Sequence, residues 1–269
     1  METQFLTYRS STIAYRLMGN GAEWLCCFHG YGEVGSSFLP FAAKLGDRYT
    51  LLAIDFPFHG ETNWQEGLLF TPTDLAAIIH LIKPAAIPMR IMGYSMGGRV
   101  ALTMLSYFPE EISGLFLIAP DGFHRNKWQL LATKTKVGNR FFAWVMRHPA
   151  LLLGWIHLAH RMKLFNPSIY KFIHHYLSDE HQRMNLYRRW TTLRQFNPNL
   201  LDVEKILLEK DKRLQLLYGA YDKIIKAKYG QRFQKKAPLQ VQVTVIDAGH
   251  LLLREKYVNT ICELLVQEY

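Results

Sequence analysis
Along this chain, short runs of consecutive apolar residues alternate with longer stretches of helical period. "WLCCF" (24–28), "TLLAI" (50–54), "MRIMG" (89–93) and "LFLIA" (115–119) are bounded by Gly, Asp, Pro or polar residues. Runs of this length without polar alternation predict strands buried on both faces of a parallel sheet. Ahead of them, "QFLTYR" and "TIAYRLM" alternate apolar with polar residues and predict an opening antiparallel hairpin. Between "TLLAI" and "MRIMG" lies "TPTDLAAIIHLI", which predicts a helix. Thr71 is suited to cap it, Pro72 to open its first turn and Asp74 to face the positive end of its dipole. After residue 213 the alternation resumes with "LQLLYG", a helix around 226–234, "VQVTVI" and a last helix near 254–267.

The alternation is interrupted once, over about 121–210, by segments that read as helices. In "PSIYKFIHHYL", Ile169, Phe172, Ile173, Tyr176 and Leu177 fall on one helical face. Ser178 is the expected cap of the next helix, with Asp179 and Glu180 in its first turn and Leu186, Trp190 and Leu193 along one side. The pattern predicts an α/β fold: a mostly parallel, doubly wound, eight-stranded sheet with an inserted helical cap. Residues 1–120 and 211–269 would form the core domain and 121–210 the cap.

Charge sharpens that division. Of the net +10, residues 121–213 supply all, with 17 Lys and Arg against 7 Asp and Glu, while the remainder holds 15 of each. The same segment carries seven of the eleven histidines. Apolar residues at 49% argue against disorder. The three cysteines, Cys26, Cys27 and Cys262, make no disulfide framework and read as core thiols. The N-terminal "METQFLTYRSSTIAYRLMG" lacks the apolar run of a secretory leader, and no segment approaches the roughly 18 apolar residues of a membrane span. A cytoplasmic protein is therefore expected.

The chemistry-bearing stretch is "IMGYSMGGRVAL" (91–102), where a strand runs directly into a helix. Gly93 and Gly97 flank Ser95 and would let strand and helix cross closely at a sharp turn. A hydroxyl needs a base, and the base an orienting acid. In open α/β sheets such groups meet at the carboxyl ends of strands. "VQVTVI" is followed there by "DAGHLLL", which carries His250, and "LQLLYG" by "AYDKII", which carries Asp222. Asp121, after "LFLIA", is an alternative acid. The N–H of Met96 and that of Tyr31, in the "HGYG" following "WLCCF", are the candidate donors to a developing oxyanion. His29 and Asp55 read as structural, and Asp247 as a turn or surface carboxylate.

Four features in order then resemble the α/β-hydrolase fold superfamily: "HGYG" (29–32), "DFPFHGET" (55–62), "GYSMGG" (93–98) and the late Asp222/His250 pair. The resemblance covers nearly the whole chain. It implies a cofactor-free serine hydrolase acting on a small-molecule ester or acyl bond, with Ser95, His250 and Asp222 as the triad and Asp222 preferred to Asp121. The chain departs from the usual pattern at Phe58 and Thr62, where a Gly and a Ser are expected.

Rival readings remain in view. "GYSMGGRVA" is also similar to the elbow of the menaquinone-pathway synthase that eliminates pyruvate, and Arg99 would then hold an anionic polycarboxylate. A non-catalytic ligand-binding relative is the other alternative. Tyr94, Arg99, Trp128, Phe142, Trp144 and Trp155 are candidates to contact substrate, with core packing equally expected for the cap aromatics. No metal site is expected: adjacent His174 and His175 diverge around a helix. Nucleic acid is not an expected partner. Contact of the basic cap with a membrane surface, notably through "RFFAWVMRHPALLLGWIHLAHR", is conceivable but not favoured.

Overall fold
The structure is a computed structural model and describes residues 2–84, 87–124, 127–162 and 177–267. The chain divides into two compact units. Met1–Glu66, Thr71–His124 and Phe196–Tyr269 form the first; Gly67–Phe70 and Arg125–Gln195 form the second.

The first unit is built on eight strands: β1 (Gln4–Tyr8), β2 (Ser11–Met18), β3 (Glu23–Phe28), β4 (Tyr49–Ile54), β5 (Met89–Tyr94), β6 (Ile112–Ile118), β7 (Arg213–Gly219) and β8 (Val241–Ile246). Their order in the sheet is β1-β2-β4-β3-β5-β6-β7-β8. The β1–β2 hairpin is antiparallel, as is the β2–β4 pair, and every other pair is parallel. The four apolar runs occupy β3, β4, β5 and β6, whose central side chains are buried on both faces. This is what a sheet covered by helices on both sides demands.

The covering helices are α1 (Leu39–Leu45), α2 (Pro72–Ile82), α3 (Met96–Tyr107), α8 (Leu200–Glu209), α9 (Lys228–Gln234) and α10 (Val258–Val266). The expected cap of α2 forms as a reciprocal pair: the Asp74 N–H donates to Thr71 Oγ1 at 3.1 Å, and the Thr71 N–H donates to Asp74 Oδ2 at 2.9 Å. From β5, the Arg90 guanidinium donates to the Leu265 carbonyl at 2.7 Å and also to Gln215, which pins α10 beneath the sheet. α8 packs on α3 and belongs to this unit, although its residues fall within the stretch expected as cap. Gly122, leaving β6, lies so close to the returning chain that an added Cβ would stand 3.3 Å from Pro198 Cγ.

The three cysteines are free and buried, and burial raises the Cys26 thiol to about 12 and the Cys262 thiol to about 11. They are core thiols, protonated at neutral pH.

The second unit contains α4 (Lys127–Lys134), α5 (Lys136–Arg147), α6 (Ala150–Arg161) and α7 (Glu180–Thr192). Ala143, Met146, Ile156, Leu177 and Tyr187 form its core. Arg183 is buried and donates to the carbonyls of Met146 (3.0 Å), Leu177 (2.7 Å) and Ser178 (2.9 Å). The cap of α7 falls one residue later than expected. Asp179, not Ser178, has the extended backbone of a cap, and its carboxylate accepts from the Gln182 N–H at 2.7 Å. The expected helical face spanning Ile169 to Tyr176, with His174 and His175, lies outside the described residues.

Candidate active site
The parallel register sets where the site forms. Phe28 pairs with Gly93, Tyr94 with Ile118, Ile118 with Leu217 and Gly219 with Ile246, so the loops after β3, β5, β6, β7 and β8 open at one edge of the sheet. Ser95, Asp222 and His250 emerge there.

Ser95 joins β5 to α3 in a strained conformation, φ 49° and ψ −112°. Three backbone hydrogen bonds hold it: its N–H donates to the Ile118 carbonyl, and its own carbonyl accepts from Gly98 and Asp121, each at 2.9 Å. The flanking glycines are required by contact. A Cβ on Gly97 would stand 1.9 Å from the Phe28 carbonyl oxygen, and one on Gly93 would stand 2.7 Å from that of Gly97.

His250 and Asp222 converge on this turn. The His250 Nδ1–H donates to Asp222 Oδ2 at 2.7 Å, and Nε2 lies 3.1 Å from Ser95 Oγ. A carboxylate can only accept, so Nδ1 carries the proton and Nε2 is left as acceptor for the Ser95 hydroxyl. The Asp222 side chain is fully buried. Its Oδ1 accepts from the N–H groups of Ile224 (2.7 Å) and Ile225 (2.9 Å). Burial raises the Asp222 carboxyl, but the His250 hydrogen bond, those two N–H groups and attraction to the imidazole outweigh it, so the net shift is downward.

Tyr94, a candidate substrate contact, is buried at 3% exposure and packs against His250. Its hydroxyl donates to the His250 carbonyl at 3.0 Å, and its ring lies 5.5 Å from the imidazole between centroids. Burial pushes the Tyr94 phenol above its usual range, which keeps the hydroxyl a donor. The signal in the sequence was an aromatic residue at the last position of a strand buried on both faces.

The loop after β3 lies against the same turn. A Cβ on Gly30 would stand 2.8 Å from the Tyr94 ring and 3.4 Å from Ser95 Cβ. His29 braces this loop: its Nδ1 donates to the Gly30 carbonyl at 2.8 Å, and its Nε2 accepts from the Phe56 N–H at 3.1 Å. The next residue is Tyr31, while Met96 opens α3 immediately after Ser95. Asp55 organises the following turn by accepting from the N–H groups of Gly35 (2.6 Å) and Glu61 (3.1 Å). Phe58 takes the left-handed backbone, φ 62°, at the position where Gly was expected. Thr62 does what a serine there could do, donating to the Asp55 carbonyl at 2.6 Å and accepting from the Ala14 N–H at 3.0 Å.

The remaining candidates differ in their surroundings. Asp121 faces Arg99, Oδ2 to Nη1 at 3.5 Å, and not His250. That pairing also engages the guanidinium that a polycarboxylate would need. Phe142 is packed within the second unit, 5.4 Å from the Tyr187 ring. Trp128, Trp144 and Trp155, candidates for a pocket or a core, are 80%, 45% and 69% exposed. Among the described residues, no group of three His, Cys, Asp or Glu side chains is placed to hold a metal ion. Nor is any helix among them long and apolar enough to cross a membrane.

A family model for the alpha/beta hydrolase fold matches residues 23–257. The chain belongs to the alpha/beta hydrolase fold family. Within that family it is similar to the uncharacterized hydrolase YugF of Bacillus subtilis (strain 168), at 22% identity over 244 residues, covering 88% of this chain and 86% of that protein. A shorter match, 33% identical over 101 residues, joins 38% of the chain to 37% of the pimeloyl-[acyl-carrier protein] methyl ester esterase of Stenotrophomonas maltophilia (strain R551-3). Among solved structures, a thermophilic esterase from Thermogutta terrifontis superposes with a TM-score of 0.66 at 20% identity, covering 98% of each chain. The alpha/beta hydrolase MGS-M2, from a Medee basin deep-sea metagenome library, gives 0.69 at 15% identity, covering 99% of this chain and 98% of its own. At those identities the two structures speak to the fold alone.

Proposed function
We propose that this alpha/beta hydrolase is a serine hydrolase that cleaves a carboxylic ester or related acyl bond of a small molecule, with Ser95, His250 and Asp222 as its triad. The observation that carries the reading is the continuous chain of hydrogen bonds from Asp222 Oδ2 through the imidazole to Ser95 Oγ, with steps of 2.7 and 3.1 Å. Ser95 attacks the acyl carbon as its proton passes to His250 Nε2, and Asp222 stabilises the resulting imidazolium. The N–H groups of Met96 and Tyr31 receive the oxyanion, the first aided by the N-terminus of α3. The imidazolium then protonates the leaving alcohol, and water activated by His250 hydrolyses the acyl-enzyme. The relatives named hydrolase and esterase lend this reading support. We further read the second unit as the inserted cap.

The test is labelling of the folded protein by a fluorophosphonate probe, with the adduct located by mass spectrometry. Modification of Ser95, and loss of both labelling and ester turnover in Ser95→Ala, is the expected result. Folded protein that neither reacts with the probe nor turns over short p-nitrophenyl esters would remove the proposal.

A further inference from the structure
The second unit carries a feature the proposed chemistry does not use. Three successive helices each present an apolar stripe to solvent. On α5 the stripe is Val137, Phe141 and Trp144, at 80%, 64% and 45% exposure, and Phe141 stacks on Trp144 with centroids 6.1 Å apart. The spacing i, i+4, i+7 puts these three on one face, opposite the buried Ala143 and Met146. On α6 the stripe is Trp155 and Leu158, continued by Met162 just past its end, at 69%, 47% and 62% exposure. On α4, Trp128 and Leu131, one turn apart, are 80% and 51% exposed. Leaving this much apolar surface in water is unfavourable unless something covers it.

The charge of this stretch of sequence, and of the described residues beside the stripes, says what covers them. Between Gly122 and Ser178 the sequence contains no Asp or Glu but nine Lys and Arg. Lys136, Arg140 and Arg147 are exposed beside the α5 stripe, and Arg161 is exposed at the end of α6. A second copy of this face would be repelled. Nucleic acid would satisfy the cations but leave Val137, Leu158 and Met162 with nothing to stack on. A surface that offers anionic headgroups above hydrocarbon satisfies both, because indole and aliphatic side chains enter the headgroup boundary while Lys and Arg stay at its level.

We infer that the exposed apolar residues of α4, α5 and α6, with the basic residues beside them, dock on an anionic phospholipid bilayer. They lie on that surface and do not span it, in keeping with the absence of a membrane-crossing helix among the described residues. This inference does not rest on the chemistry at Ser95.

The experiment is flotation of the full chain with phosphatidylcholine vesicles, with and without phosphatidylglycerol, across a salt series. Two variants accompany it, Val137→Ser/Phe141→Ser and Lys136→Glu/Arg140→Glu, each checked for an unchanged thermal midpoint. Binding is expected only to the phosphatidylglycerol vesicles and should weaken with salt. The apolar pair should lower the partition coefficient by roughly tenfold or more, and the charge reversals by a comparable factor. Independently of any variant, lipids brominated in the acyl chain should quench the tryptophan fluorescence of the unaltered protein. The inference is overturned by no flotation at low salt, by no bromine quenching, by unchanged binding of Val137→Ser/Phe141→Ser, or by stronger capture on duplex DNA than on the anionic vesicles.

Discussion

The contact between Tyr94 and His250 makes a quantitative test of how the proposed base is held. His250 sits on a loop beyond β8, and two groups hold its carbonyl: the Tyr94 hydroxyl at 3.0 Å and the Leu252 N–H at 2.8 Å. Tyr94→Phe removes the first and keeps the second, so the carbonyl is not orphaned. The ring that fills the space beside Gly30 also remains. The loss is therefore one buried hydrogen bond, about 1 kcal/mol net. If that weight falls on the aligned state of the loop, kcat drops about fivefold with KM nearly unchanged. The thermal midpoint should fall by only about 2 °C. The assay is steady-state hydrolysis of a soluble ester, alongside the single-step rate of fluorophosphonate labelling, which should slow by the same factor. Kinetics and labelling equal to the unaltered protein would refute the argument. A loss confined to KM would make Tyr94 a substrate contact after all.

Two further outcomes follow from the same geometry. Asp222→Asn should lower kcat by about four orders of magnitude, because the amide favours the wrong imidazole tautomer. Asp222 is held below the ordinary carboxylate range, so its ionisation adds stability that is fully present above about pH 4 and lost as pH falls through the lower folded value. Denaturation midpoints of Asp222→Asn and the unaltered protein should accordingly differ at neutral pH and converge in acid. In the second unit, Arg183→Met leaves three carbonyls without their charged donor, a loss of about 3 kcal/mol or more. Limited proteolysis should then cut within 125–195 while Ser95 still accepts the fluorophosphonate.

The sheet and the convergence at its edge were legible because both obey local rules. Apolar runs such as "TLLAI" can hardly be other than buried strands, and a His or Asp following such a run emerges at the edge where ligands bind. Glycines around Ser95 signalled a close crossing that the Phe28 carbonyl makes unavoidable. The second unit was less legible. Around Trp144 and Trp155 apolar residues fall on more than one side of the helix, Phe141 beside Phe142 and Trp155 beside Ile156, so period alone could not say which side meets the core and which meets solvent. The buried Arg183 was hidden among other basic residues of the same segment. Tyr94 was visible as an aromatic but not as a strut, because its partner is a backbone atom 156 residues away.

Gly122 and Pro198 touch, yet 75 residues separate them along the chain. The segment between them is thus a cassette hung from neighbouring points, and its entry and exit impose no stretch on the β6–β7 pairing. Selection could lengthen, recharge or replace that cassette while the hydroxyl, imidazole and carboxylate kept their spacing. A new clientele could be acquired without relearning the proposed reaction.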